Sequence, residues 1–241
     1  MDQKLLIIGD PKGTHSLMAL RRYFPEDITI WENDSCHIYT IRQICGRINV
    51  VTDLDECKGM KFSVVIGNPP YGNAGRQALQ FLNKIAELEL SNDIRLVMPR
   101  SIRKASLLNS INRHIHIVED ITNDDMLFGR KIKTVTQKYE LREELRDLIP
   151  QPKTHTDFQF LKKGDPNVNV FIMRSGAAGK VLTEGYDGYE ESHYFIHANN
   201  QQVIDNLKSI SNNLIEMGEE TTGMNKVSIP EIITTYTEHY G

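Results

Sequence analysis

Asn68-Pro69-Pro70-Tyr71 directly follows the apolar run Phe62-Ser63-Val64-Val65-Ile66-Gly67. Residue types in this order suit one chemistry, the activation of a planar amino group. Such a nitrogen delocalises its lone pair and is a poor nucleophile. Two acceptors aimed at its two N–H bonds would draw it toward a tetrahedral shape and direct the lone pair at an electrophile. The Asn68 side-chain carbonyl is one acceptor and the Pro69 backbone carbonyl can be the other. Prolines at 69 and 70 fix φ and bring no N–H to compete for those carbonyls. Tyr71 offers a flat face on which a ring can stack.

A strand must carry this tetrapeptide, and the chain around it supplies one in context. Short apolar runs alternate with helical patterns through the first half, the mark of βαβ units and a parallel sheet. Lys4–Ile8 is the first strand, followed by the turn Gly9-Asp10-Pro11-Lys12-Gly13. Thr14 or Ser16 would cap a helix bearing Leu17, Leu20 and Tyr23. Asp27–Trp31 is a second strand ending at Glu32, and a helix through Ile38, Ile41 and Ile44 follows. Ile48–Val51 makes a third strand, ending at Asp53, and the run before Asn68 is the fourth.

A long helix is expected from Arg76 to Leu90, with a fifth strand over Ile94–Pro99 and another helix through Leu107–Ile111. Ile115–Ile121 and Ile132–Tyr139 are then strand-like with only a loop between them, which predicts an antiparallel hairpin at the sheet edge. Beyond Leu148 the order is less regular, with a Gly-rich turn at Ser175–Gly179, a strand over Tyr194–His197 and a helix over Gln201–Met217. The fold class expected is α/β, a doubly wound Rossmann-like sheet over residues 1–148, with a small C-terminal α+β appendage over 149–241.

The 241 residues have the composition of an ordinary globular protein, with 39% hydrophobic and 25% charged side chains. No apolar run approaches the roughly 18 residues of a membrane-spanning helix, and the first residues open straight into a strand. A cytoplasmic protein with neither a membrane helix nor a signal peptide is therefore expected. Cys36, Cys45 and Cys57 lack metal-ligand spacing and read as reduced thiols. No metal is expected, since the chemistry needs none. Charge is unevenly spread: residues 94–181 carry +6 and residues 182–241 carry −8. A nucleic acid would be drawn to the middle of the chain.

Taken together, Asn68–Tyr71 with its strand, the Gly9–Gly13 turn and the acidic strand ends resemble the N6-adenine DNA methyltransferases that use S-adenosylmethionine. The resemblance covers residues 4–140, and the tetrapeptide is its specific element. It implies that Asn68, Pro69, Pro70 and Tyr71 are catalytic. It implies that Gly9, Asp10 and Gly13 cradle the cofactor's methionine part, that Glu32 accepts its ribose hydroxyls and that Asp53, with Asp55 as its neighbouring competitor, accepts its adenine amino group. Phe128, between the hairpin strands, would stack on the far face of a flipped adenine, opposite Tyr71. Arg100, Arg130 and Lys131 would meet phosphates of double-stranded DNA. This sequence departs from the pattern at His15 and Ser16, where another glycine is usual. RNA methylation, glutamine-N5 methylation of a protein, and a nucleic-acid-binding module that has kept only the fold are the alternatives.

Overall fold

The structure, a computed structural model, describes residues 3–123, 126–127, 130–131, 133–184, 190–221 and 224–241, with the backbone alone at 126–127, 130–131 and 190. The chain forms two compact units, residues 1–148 and 149–241.

The first unit is built on a seven-stranded sheet. Its strands are β1 (Leu5–Ile8), β2 (Ile28–Trp31), β3 (Asn49–Val51), β4 (Val64–Gly67), β5 (Ile94–Pro99), β6 (Ile115–Asn123) and, after the short hairpin β7 (Met126–Leu127) and β8 (Arg130–Lys131), β9 (Thr134–Leu141). Spatial order is β3-β2-β1-β4-β5-β9-β6. The first five strands are parallel, and β9 pairs antiparallel with both β5 and β6. This is the doubly wound α/β class that the alternating pattern predicts. The chain order β6 then β9 is inverted in space, because β9 inserts between β5 and β6. A hairpin is read easily from adjacent strands, but which of its strands faces the sheet is decided by packing.

Both faces of β1 are buried, which is why it reads as an unbroken apolar run. Leu6 and Ile8 join Val65, Leu96 and the helix α3 (Arg76–Glu87) on one face, through Leu79, Leu82 and Ile85. Leu5 and Ile7 join Ile28, Ile30, Ala19 and Ile41 on the other, under α1 (Thr14–Ala19) and α2 (Ser35–Cys45). Several local expectations shift. α1 is only six residues long, and Leu17 is 46% exposed rather than part of its buried side. Ser16 is drawn inward instead, so the buried face centres on Ser16 and Ala19, and Leu17 falls about 100° round the helix. α3 stops at Glu87 rather than Leu90, where Glu89 turns to φ 49°. The helix expected through Leu107–Ile111 is the single turn α4 (Ala105–Leu108).

The second unit holds a four-stranded antiparallel sheet, order β10-β13-β11-β12, made of β10 (Phe158–Leu161), β11 (Val170–Met173), β12 (Val181–Leu182) and β13 (His193–Ala198). Helices α5 (Gln201–Ser209), α6 (Ser211–Glu219) and α7 (Ile229–Tyr240) bury Phe158, Val170, Ile172 and Ile196 on one face. The long helix expected over 201–217 is thus broken at Ile210. α7 and β10 had no counterpart in the sequence reading.

The carboxyl ends of β1 and β4 meet closely at Gly67. A Cβ at Gly67, where φ is +150°, would stand 2.1 Å from the Ile8 carbonyl oxygen and 2.7 Å from its nitrogen. Gly67→Ala is expected to destabilise the protein by about 3 kcal/mol, since the clash is with backbone and cannot be relieved by a rotamer change. Urea unfolding of the two proteins gives the difference directly, and a change within about 0.5 kcal/mol would contradict the packing described.

Candidate active site

The carboxyl ends of the five parallel strands lie along one edge of the sheet, the edge where ligands bind in open α/β folds. Gly9, Glu32, Asp53, Asn68 and Arg100 follow β1, β2, β3, β4 and β5 respectively, so topology alone brings them to one side.

Asn68 is exposed, Pro69 is buried, and Pro70 and Tyr71 are half-buried. The Asn68 N–H donates to the Ile8 carbonyl at 2.8 Å, which ties the motif to β1. Its side-chain amide and the Pro69 carbonyl have no hydrogen-bond partner among the described residues. An acceptor held ready by two prolines and left unmatched is what an incoming amino group needs. The Tyr71 ring packs against the core cluster that includes Leu79 and Leu82. Burial pushes its phenol up to about 12, so it stays neutral. Its carbonyl accepts the Gln77 N–H at 3.1 Å, and the following loop is wound through positive φ at Gly72, Ala74 and Gly75.

Gly9 stands against this motif. A Cβ on Gly9, at φ +67°, would come within 2.8 Å of the Asn68 carbonyl oxygen. Gly13, at φ +66°, begins α1. Asp10 is 1% exposed and turned into the loop. The Ser16 N–H and hydroxyl donate to its Oδ2 at 2.8 and 2.6 Å, and the His15 N–H donates to Oδ1 at 3.2 Å. The His15 ring lies 3.4 Å from the same oxygen. Asp10, rather than Thr14 or Ser16, therefore caps α1, and the Ser16 hydroxyl closes this cap. Burial by itself would raise the Asp10 pKa, but the hydrogen bonds from His15 and Ser16 outweigh it and hold the carboxyl down at about 2.

Glu32 is also buried, at 5% exposure. Its Oε1 accepts the Asn33 and Asp34 N–H groups at 3.0 Å each, and Oε2 lies 3.4 Å from His37 Nδ1. Asp53 caps a short 3-10 helix, its Oδ1 accepting the Asp55 N–H at 2.9 Å. It borders a cleft of about 330 Å³ lined by Trp31, Leu54, Gln77, Gln80, Phe81 and Lys84 as well. Trp31 and Phe81 meet edge to face at 4.3 Å across its wall. Trp31 is buried, yet one side of it forms this cleft. Phe81 and His37 were missed, because neither stands in a motif and only the fold brings them to Asp53 and Glu32. A larger trough of about 630 Å³ opens on the α1 face, between Tyr23, Val64, Ile66 and Arg95. None of the tetrapeptide residues lines it.

Arg100 does not stand where a phosphate contact is expected. It is 8% exposed and its Nη2 donates to the Asn123 carbonyl at 3.2 Å. Arg103, on the same turn, forks onto Asp120, with Nη2 to Oδ1 at 2.6 Å, and Asp120 also accepts the Gln137 amide at 2.8 Å. The buried Tyr139 hydroxyl donates to Gln137 Oε1. Phe128 lies outside the described residues. Arg130 and Lys131 are described by their backbone in β8, which pairs with β7. Among the described residues no cluster of His, Cys, Asp or Glu could hold a metal ion, and no helix is long and apolar enough to cross a membrane.

The donor set suits the group that the sequence suggests. Bare backbone at Gly9, a carboxylate after β2 and an aromatic-walled cleft beside Asp53 would accept, in turn, an amino-acid chain, a ribose and a purine.

No family model matches the chain, and no curated protein does either. Among solved structures, a candidate RNA methyltransferase of Pyrococcus horikoshii is 18% identical, with 60% of this chain and 76% of that one covered at a TM-score of 0.46. TrmN of Thermus thermophilus is 13% identical over 58% of this chain and 44% of that one, with a TM-score of 0.46. A dimethyladenosine transferase of Plasmodium falciparum is 16% identical over 58% and 55%, with a TM-score of 0.41. Scores at this level say nothing of substrate.

The Asp10 cap gives the protein an acid-sensitive element. The folded carboxyl titrates at about 2 against an ordinary 3.8, so its stabilisation is complete above pH 4 and is lost as pH falls through 2. Asp10→Asn is expected to cost about 2 kcal/mol at neutral pH, a gap that closes between pH 4 and pH 2. Denaturant titrations of both proteins at neutral and acid pH test this, and a gap independent of pH would refute the cap.

Proposed function

We propose that the chain is a methyltransferase that uses S-adenosylmethionine to methylate the N6 amino group of an adenine flipped out of double-stranded DNA. The observation that carries this reading is the exposed Asn68 side chain, which like the Pro69 carbonyl beside it has no hydrogen-bond partner among the described residues.

Gly9 and Gly13 would leave room for the methionine part of the cofactor, with Asp10 holding their loop in shape. Glu32 would meet the ribose, and Asp53 with its cleft would receive the adenine. When bound, S-adenosylmethionine supplies an electrophilic methyl group. Asn68 and the Pro69 carbonyl would take the two N–H bonds of the target and free its nitrogen lone pair. The cofactor's sulfur would be the leaving group, and the target nitrogen held by Asn68 and Pro69 would shed one proton to water once methylated. Alignment would supply most of the acceleration, since no strong base is needed before attack. Tyr71 on one face and Phe128 on the other would recover part of the cost of unstacking the base, each stack being worth roughly 1–3 kcal/mol. Arg130 and Lys131 would approach the phosphates, and residues 149–241 would serve target recognition.

Asn68→Ala should lower methyl transfer by at least 100-fold while changing cofactor affinity by less than about threefold, since one acceptor supports only the reacting nitrogen. Calorimetry with S-adenosylmethionine and transfer of labelled methyl measure the two separately. Equal loss of both would count against the assignment. Incubation of the wild type with duplex DNA, RNA and protein, followed by identification of the labelled product, decides the substrate. Label as N6-methyladenine in DNA supports the reading, and label on RNA or glutamine alone overturns it.

A further inference from the structure

Parallel strands occur almost only in sheets whose two faces are both covered, because each side of such a strand carries apolar side chains. In β4 and β5 one face, with Val65, Leu96 and Met98, is buried beside α3. The opposite face carries Val64, Ile66 and Val97, all half-buried, and the exposed Arg95. The buried cluster under α1 and α2 takes in Leu5, Ile7, Ile28 and Ile30, but it reaches β4 through the half-buried Val64 and Ile66 alone. Register carries the same open face onward to β9 and β6. Ile66 is level with Arg95, and Arg95 with Lys138. Val97 is level with Thr136, and Thr136 with Ile121, which is 51% exposed.

The trough of about 630 Å³ lies on this face. Leu5, Val64 and Ile66 line it from the sheet, and Met18 and Tyr23 line it from α1 and the turn that follows. Its charges are not balanced. Arg95 is held by Asp93 at 2.7 Å, and Lys138 lies 3.9 Å from Glu140. Arg21 and Arg22 also line the trough, are exposed, and have no ion-pair partner among the described residues. An apolar bed is thus bordered by two unmatched positive charges.

We propose that this face docks an amphipathic helix of a partner protein. Its apolar stripe would lie on Val64, Ile66 and Val97, and its carboxylates would meet Arg21 and Arg22. A helix about 10 Å across spans about two strands spaced roughly 4.8 Å apart, which matches the width of β4 and β5. A nucleic-acid backbone has no apolar side to bury against that bed. None of the tetrapeptide residues lines the trough, so the proposal stands whether or not the chain methylates a nucleic acid.

The test uses the full chain and two stapled helical peptides of roughly 18 residues, with Leu spaced three and four apart on one face and either Glu or Lys flanking it. Calorimetry gives the affinities, and methyl NMR of Val64, Ile66 and Val97 locates the binding. The Glu peptide should bind at least tenfold more tightly than the Lys peptide and shift those methyls. The double variant Arg21→Glu, Arg22→Glu should reverse the preference, a gain of binding that mere loss of folding cannot produce. Equal affinity for both peptides, binding that leaves those methyls unmoved, or no binding of either at about 1 mM would overturn the proposal. Concentration-dependent shifts of the same methyls in the chain alone would overturn it in favour of a second copy. Shifts caused by a DNA of about 20 nucleotides, and by neither peptide, would overturn it in favour of a nucleic-acid groove.

Discussion

At their carboxyl ends β1 and β4 approach so closely that Gly67 and Gly9 have no room for a side chain. The Asn68 N–H reaches the Ile8 carbonyl at 2.8 Å, Gly67 leaves no room for a Cβ beside Ile8, and Gly9 leaves none beside the Asn68 carbonyl. Two loops therefore leave adjacent strands in backbone contact, one carrying the glycines and the other the unmatched acceptors. Reactions between two bound groups need their atoms within about 3–3.5 Å, and a methyl or larger group at either glycine would push the loops apart. The rest of the site is arranged around this joint.

The carboxylates near it serve the fold first. Asp10 closes the start of α1, Glu32 takes the N–H groups of Asn33 and Asp34, and Asp53 starts its 3-10 turn. Each is held by backbone donors before any ligand arrives, so its orientation is set in advance. A carboxylate has about four lone-pair positions, and those left over face His15, His37 and the Asp53 cleft. His15 and Ser16, which look like a damaged glycine loop in sequence, complete the Asp10 cap.

A second support stands at the other end of the sheet. The last residue of β6 and the first of β9 pair at the carboxyl end of β5, the edge that carries Asn68. The pairs Arg100–Asn123, Arg103–Asp120 and Gln137–Tyr139 tie these strand ends together.

By itself the sequence determined what depends on neighbours along the chain. The apolar runs of β1, β4 and β5, the left-handed turns at Gly9 and Gly13, the rigid acceptor at Asn68-Pro69 and the break in character near residue 148 are all properties of short segments. Tertiary structure alone decided what depends on pairs far apart. That Leu17 faces solvent and Ser16 the interior follows from the Asp10 cap. That the Arg100 side chain is buried rather than at the surface follows from its packing and from a carbonyl 23 residues away. That β9 lies inside β6 follows from which strand covers the core better. Local periodicity and backbone preference act over a few residues and are written in them, whereas a buried charge takes its meaning from the partner that packing brings to it.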